Sequence, residues 1–207
     1  FLNPEASGAH NKEWFLNPSI EIFDRWQECA DGNIKILTLA PELDGAIELI
    51  EHVTNQGVVA SVGHSLADSR CLERAIRAGL SCATHVGNGI PTDIHRMNNP
   101  IWSQLAYKNL HGTVITDGFH TTEEFQVVAF RAKGAGRFIV TSDRSPLAGL
   151  PPGEYKSLGK KARVLPGGKI VSVGGRGLLS GSSADMLGCM NNFAKLNLAS
   201  EKELWHV

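Results

Sequence analysis

The sequence predicts an α/β fold, a partial (β/α)8 TIM-like barrel of about five βα units with a β-hairpin insertion after the last barrel strand. Three observations predict it. Short runs of β-branched and apolar residues alternate with stretches of helical apolar spacing, the pattern of a parallel sheet crossed over by helices. Glycine closes the first two of those helical stretches. Reactive side chains stand where the strand-like runs end, as the active face of a barrel requires.

Residues 34–39 (IKILTL) read as a buried strand closed by Ala40-Pro41-Glu42. Residues 43–56 place Ile47, Ile50 and Val53 at helical spacing, and Gly57 ends them. Residues 58–62 (VVASV) form the next strand, which meets Gly63 and then His64. A helix over 66–78 stops at Gly79, and a strand over 80–84 ends at His85. Residues 111–116 (HGTVIT) run into Asp117, Gly118 and His120. The helix over 122–133 opens on Thr121-Thr122-Glu123-Glu124, a capping-box-like start. Residues 137–141 (RFIVT) form a strand that runs into Asp143. Beyond Pro151 the rhythm changes. Residues 162–173 read as a β-hairpin around Pro166-Gly167-Gly168, followed by a helix over 184–196 and the start of another at Ser200.

The 207 residues, 42% of them apolar, suit one domain with a genuine core. Twenty basic residues against 21 acidic ones give no electrostatic footprint for nucleic acid or an acidic membrane. No apolar run approaches a membrane span. The four cysteines form no CxxC pair and no disulfide-like framework, which suits reduced thiols and a cytoplasmic setting. A start at Phe1 within a loop-like stretch and a stop within a helix-like one read as a piece of a longer protein.

Three strands thus end in histidine, at His64, His85 and His120, and a fourth in Asp143. A single histidine after a strand is more often a hydrogen-bonded loop residue than a ligand, and Asp143 alone could cap a helix. Four such ends on one barrel face favour metal chemistry instead. Neutral imidazoles suit zinc or iron, a bound water gains acidity, and a nearby carboxylate can carry its proton. His52, on a helix, and His206 read as surface residues; His95 and His111 also lack the strand-end placement.

The motifs FLNPEASGAH, VGHS, THVGN, ITDGFH, VTSDRSPLAGLPPGEY and LLSGSS follow in the order and spacing of a known family. In them the chain resembles the N-acetylglucosamine-6-phosphate deacetylases of the amidohydrolase superfamily, from residue 1 to about 207 and least over 11–30, 121–136 and 156–175. The resemblance implies a divalent metal, zinc or iron, held by His64 and His85 and by a Glu that the family carries three residues before the position of Phe1. It implies Asp143 as the catalytic acid/base and His120 as the group that contacts the substrate and polarises its amide carbonyl. Substrate contacts would fall on Ala9, His10, Asn88, Gly89, Leu179, Ser180 and Gly181, with Arg96 as a phosphate clamp.

The implied reaction converts N-acetylglucosamine 6-phosphate to glucosamine 6-phosphate and acetate. A small amino-sugar phosphate is then the partner, without nucleic acid or membrane, and a homodimer is an assembly it admits. Asn88-Gly89-Ile90-Pro91 stands where the family commonly has Asn-Ala-Met-Pro, and Thr141-Ser142-Asp143-Arg144 where it has Thr-Asp-Ala. An amidohydrolase acting on another N-acyl substrate, or a catalytically incomplete fragment, are the alternatives.

Overall fold

The structure, a computed structural model, describes residues 1–174 and 177–207. Five short strands lie side by side in chain order: β1 (Ile36–Leu39), β2 (Val59–Val62), β3 (Cys82–Ala83), β4 (His111–Ile115) and β5 (Phe138–Thr141). Every neighbouring pair is parallel, with Leu39 opposite Val62 and Ile115 opposite Thr141. Parallel neighbours need crossovers, and helices supply them, so all five carboxyl ends open on one side. This is the barrel arrangement the alternating pattern predicts.

The helices are α1 (Ile20–Cys29), α2 (Ala46–Asn55), α3 (Ser69–Arg77), α4 (Pro100–Ala106), α5 (Glu123–Lys133), α6 (Met186–Ala194) and α7 (Glu201–Leu204). α2, α3 and α6 begin and end one to three residues inside their expected limits, and α5 ends at the expected Lys133. α1 and α4 were not among the predicted helices, although both carry readable caps. The Ser19 side chain accepts from Ile22 N–H, and Asn99 precedes Pro100 and accepts from Ile101 N–H.

One continuous core joins sheet and helices. Leu49, Ile50 and Val53 of α2 and Leu72 and Ala75 of α3 are buried against Leu39, Ala60 and Val62 of the sheet. Phe138 of β5 stacks on Phe193 of α6 at 4.9 Å between ring centroids and meets Phe130 of α5 edge-on at 5.6 Å. α6 is also tied to the end of β4, where Thr116 Oγ1–H donates to Cys189 O at 2.8 Å and Asn192 Nδ2–H donates to Thr116 O at 3.1 Å. Those bonds steady the loop that carries His120.

A second, antiparallel sheet follows the barrel strands, built of β6 (Gly153–Ser157), β7 (Lys160–Val164) and β8 (Ile170–Ser172). The β7–β8 hairpin matches the expected turn at Pro166-Gly167-Gly168. β6 is an addition. Its Glu154 and Lys156 face solvent, so only pairing with β7 marks Gly153–Ser157 as a strand. Leu147 packs on Ala162, Val164 and Ile170, which fastens this sheet to the segment just after Asp143. Among the described residues no helix is long and apolar enough to cross a membrane.

Candidate active site

Three strands present a reactive side chain at the same offset. His64 stands two residues beyond Val62, His85 two beyond Ala83, and Asp143 two beyond Thr141. All three have left-handed backbone, with φ of 50°, 35° and 48°. Residues bearing a Cβ adopt this conformation only where neighbouring contacts over-determine it. Here Asn3 N–H donates to His64 O (3.0 Å), His85 N–H to Thr113 Oγ1 (2.6 Å), and Ser182 N–H to Asp143 O (2.9 Å).

His120 departs from the expected strand-end placement. It lies on a loop five residues past Ile115, and Asp117 takes the offset used by the other three strands. The buried Asp117 carboxylate reaches forward to the histidine. Its Oδ1 accepts from the backbone N–H of Phe119 (2.8 Å) and His120 (2.9 Å), and its Oδ2 accepts from His120 Nδ1 at 2.7 Å. Burial alone would raise the Asp117 pKa. Hydrogen bonds from the His120 ring and backbone and from Ser182 outweigh it and hold the carboxyl well below the usual range. Asp117 therefore fixes the ring and leaves Nε2 as the other polar atom of His120. The motif ITDGFH contained this aspartate, but only the turn brings it onto the histidine.

His64 and His85 meet directly, with their Nε2 atoms 3.1 Å apart and their rings edge-on at 4.8 Å. His64 Nδ1–H donates to Ala6 O at 2.9 Å, so its Nε2 carries a lone pair aimed at His85. Such a facing pair is satisfied by one shared proton or by one shared cation. Two nitrogens bound to a tetrahedral zinc lie roughly 3.3 Å apart, given bond lengths of about 2.0–2.1 Å. The spacing and the carbonyl that orients His64 both fit a divalent ion. No third His, Cys, Asp or Glu completes a cluster among the described residues.

The ring of His64 is seated between two backbone segments. A Cβ at Gly89, where φ is +61°, would lie 2.7 Å from its Nδ1, and one at Gly8 would lie 3.2 Å from its Cε1. The loop after β3 thus gives His64 room only because residue 89 lacks a side chain. Glu42 adds a further support, one that no motif in the sequence marks. Its carboxylate accepts from Ser65 Oγ (2.6 Å), Leu66 N–H (2.6 Å) and Asn3 Nδ2 (2.9 Å), gathering the segments around His64.

Burial pushes both His64 and His85 down to about 4, with the charge of His85 adding to the shift at His64 and that of His120 to the shift at His85. Both are neutral donors near pH 7. The sign of the linkage follows. Between about 6.5 and about 4 the unfolded chain takes up protons that the native site refuses, so native stability falls with acid across that window and levels off below it. Chelator-treated protein should show a thermal midpoint that drops as pH is lowered through that window. A midpoint flat over the same range would contradict the neutral, buried imidazole pair.

Ala9, His10, His64, His85, Asn88, Gly89, His120, Asp143, Leu179, Ser180 and Gly181 all line one cleft of about 490 Å³. Its position at the carboxyl ends of the strands is where barrel chemistry is built. Arg96 does not line it. That side chain is exposed, and its carbonyl accepts from Trp102 Nε1 at 3.0 Å. Arg144, next to the acid/base candidate, does line the cleft, with Nη1 donating to Ser183 O at 3.3 Å. His10 meets the edge of His64 at 4.8 Å.

No protein-family model matches the chain. It is 38% identical over 192 residues to an N-acetylglucosamine-6-phosphate deacetylase of Bacillus subtilis (strain 168), a match covering 90% of this chain and 46% of that protein. It is 36% identical over 202 residues to the protein of the same name from Rattus norvegicus, covering 93% and 48%. A crystal structure of the Mycobacterium smegmatis N-acetyl-D-glucosamine-6-phosphate deacetylase superposes with a TM-score of 0.89 at 27% identity, over 99% of this chain and 54% of that one. The chain spans about half the length of the curated relatives it matches.

Proposed function

We infer that this chain is part of an N-acetylglucosamine-6-phosphate deacetylase, the name its curated homologues carry, and that the cleft is where its amide bond is hydrolysed. The observation that carries the reading is the meeting of His64, His85, His120 and Asp143 around one cleft, in a chain similar to these enzymes throughout. His64 and His85 would hold a divalent metal, zinc or iron, which when bound supplies Lewis-acid polarisation and a water acidic enough to react near neutral pH.

The chain's own residues do the rest. Asp143 accepts the proton released as water adds to the acetamide carbonyl, then delivers it to the departing amine. His120, its ring fixed through Nδ1 by Asp117, would turn Nε2 to the acetamide oxygen and polarise the carbonyl, the role the resemblance implies. Asn88, Gly89, Ala9 and His10 line the same space and would hold the sugar. Acetate and the free amino sugar phosphate are the products.

A sugar phosphate also needs a cation. The resemblance assigns that role to Arg96, whereas Arg144 is the one lysine or arginine lining the cleft among the described residues. Arg96→Ala and Arg144→Ala should be compared on N-acetylglucosamine with and without the 6-phosphate. The residue that meets the phosphate is expected to show a KM raised by about tenfold or more on the phosphorylated sugar alone. Equal losses on both sugars would remove a variant's residue from that role. A full-length protein that deacetylates neither sugar, but does cleave another N-acyl substrate, would favour the alternative that Gly89-Ile90 and Arg144 raise by departing from the family's usual motif.

A further inference from the structure

Among the described residues, three buried side-chain polar atoms lack a hydrogen-bond partner: His85 Nδ1, Asn88 Nδ2 and Ser157 Oγ. Buried polar groups are nearly always paired, because leaving one unpaired costs free energy. All three residues line the same cleft. Two of them already belong to the candidate machinery. Ser157 does not, and no motif pointed to it.

Ser157 is the last residue of β6 and only 8% exposed. It sits at the tip of the β6–β7 hairpin, paired with Lys160 across Leu158 and Gly159. Those two residues have φ of 50° and 74°, as in the two-residue turns that suit a twisted hairpin. The tip is also pinned. A Cβ at Gly159 would lie 2.7 Å from Trp14 Cζ2, so the turn closely approaches an indole from the segment that follows Ala9 and His10. The hairpin thereby forms a fixed wall of the cleft, facing the metal-candidate histidines from a sheet outside the barrel.

We propose that Ser157 is a substrate-binding residue whose hydroxyl pairs with a ring hydroxyl of the amino sugar. The proposal rests on the deacetylase reading above. A serine hydroxyl both donates and accepts, as a sugar hydroxyl does, and it brings no charge that would single out the phosphate.

The test uses Ser157→Ala in the full-length, metal-loaded protein. Calorimetric Kd for the product glucosamine 6-phosphate, KM for N-acetylglucosamine 6-phosphate, and the thermal midpoint without ligand are measured beside wild type. The expected result is a threefold to tenfold rise in Kd and KM, the range of one lost hydrogen bond. The ligand-free midpoint should be unchanged or higher, since the variant removes an unpaired buried hydroxyl. Unchanged Kd and KM would overturn the proposal. So would a lowered midpoint without an affinity change, which marks a packing role. Wild-type protein that neither binds nor deacetylates the amino sugar would overturn the deacetylase reading and this proposal with it, whereas an insensitive variant of an active enzyme overturns this proposal alone.

Discussion

Asp143→Asn in the full-length protein is expected to lower turnover of N-acetylglucosamine 6-phosphate by about 10²- to 10⁴-fold, the usual worth of a positioned acid/base. Asparagine keeps the shape and accepts the left-handed backbone that this position requires, with φ at 48°. The frame around it does not depend on the carboxylate. Asp143 O accepts from Ser182 N–H at 2.9 Å, and Ser145 N–H donates to Ser182 O at 2.8 Å, so main chain alone fixes residues 143–145 to the LSGS segment. The variant should therefore fold, keep the site's histidines in place and bind sugar. A rate loss without an affinity loss then isolates proton transfer. Wild-type turnover from Asp143→Asn would remove Asp143 from the mechanism.

His64→Ala and His85→Ala should each weaken divalent-metal retention by at least about 100-fold and abolish turnover, with metal content after dialysis as a readout independent of activity. The argument is geometric. Two Nε2 atoms at 3.1 Å, one of them held by a carbonyl that accepts from its own Nδ1–H, leave little for either ring to do except share a cation or a proton. If a cation is shared, losing one imidazole leaves a buried, neutral partner that cannot hold it alone. If only a proton is shared, wild type and both variants would retain the same trace of metal, and the metal reading fails. His64→Ala also leaves the Ala6 carbonyl without its donor and empties the seat between Gly8 and Gly89, so it should cost more stability than His85→Ala.

Much of the barrel was readable because its strands are short apolar runs, and the stops of α2 and α3 are marked by Gly57 and Gly79. The same logic failed for β6, where alternating charged residues report an outer strand of a small sheet rather than a core strand. It also failed for α1, which buries only Phe23 in full, and for the seven-residue α4, whose caps are single residues in a long sequence. At the site, the positions of His64, His85 and Asp143 could be read from where strands stop. His120 was placed at a strand end and instead rides on a turn built by Asp117, because a side-chain bond across three residues leaves no periodic trace.

By itself the sequence determined the fold class, the alternation of strands and helices, and the identity of the side chains at the strand ends. These follow from local rules: burial pattern, turn chemistry and residue type. Only the tertiary structure decided that the imidazoles of His64 and His85 face each other and that Arg96 stands outside the cleft while Arg144 stands within it. It also decided that Ser157 arrives from a separate sheet to close the wall. Those are relations between residues from 21 to about 145 positions apart, set by parallel register and by the approach of the hairpin to Trp14. No short stretch of sequence encodes them, because each depends on where the rest of the chain packs.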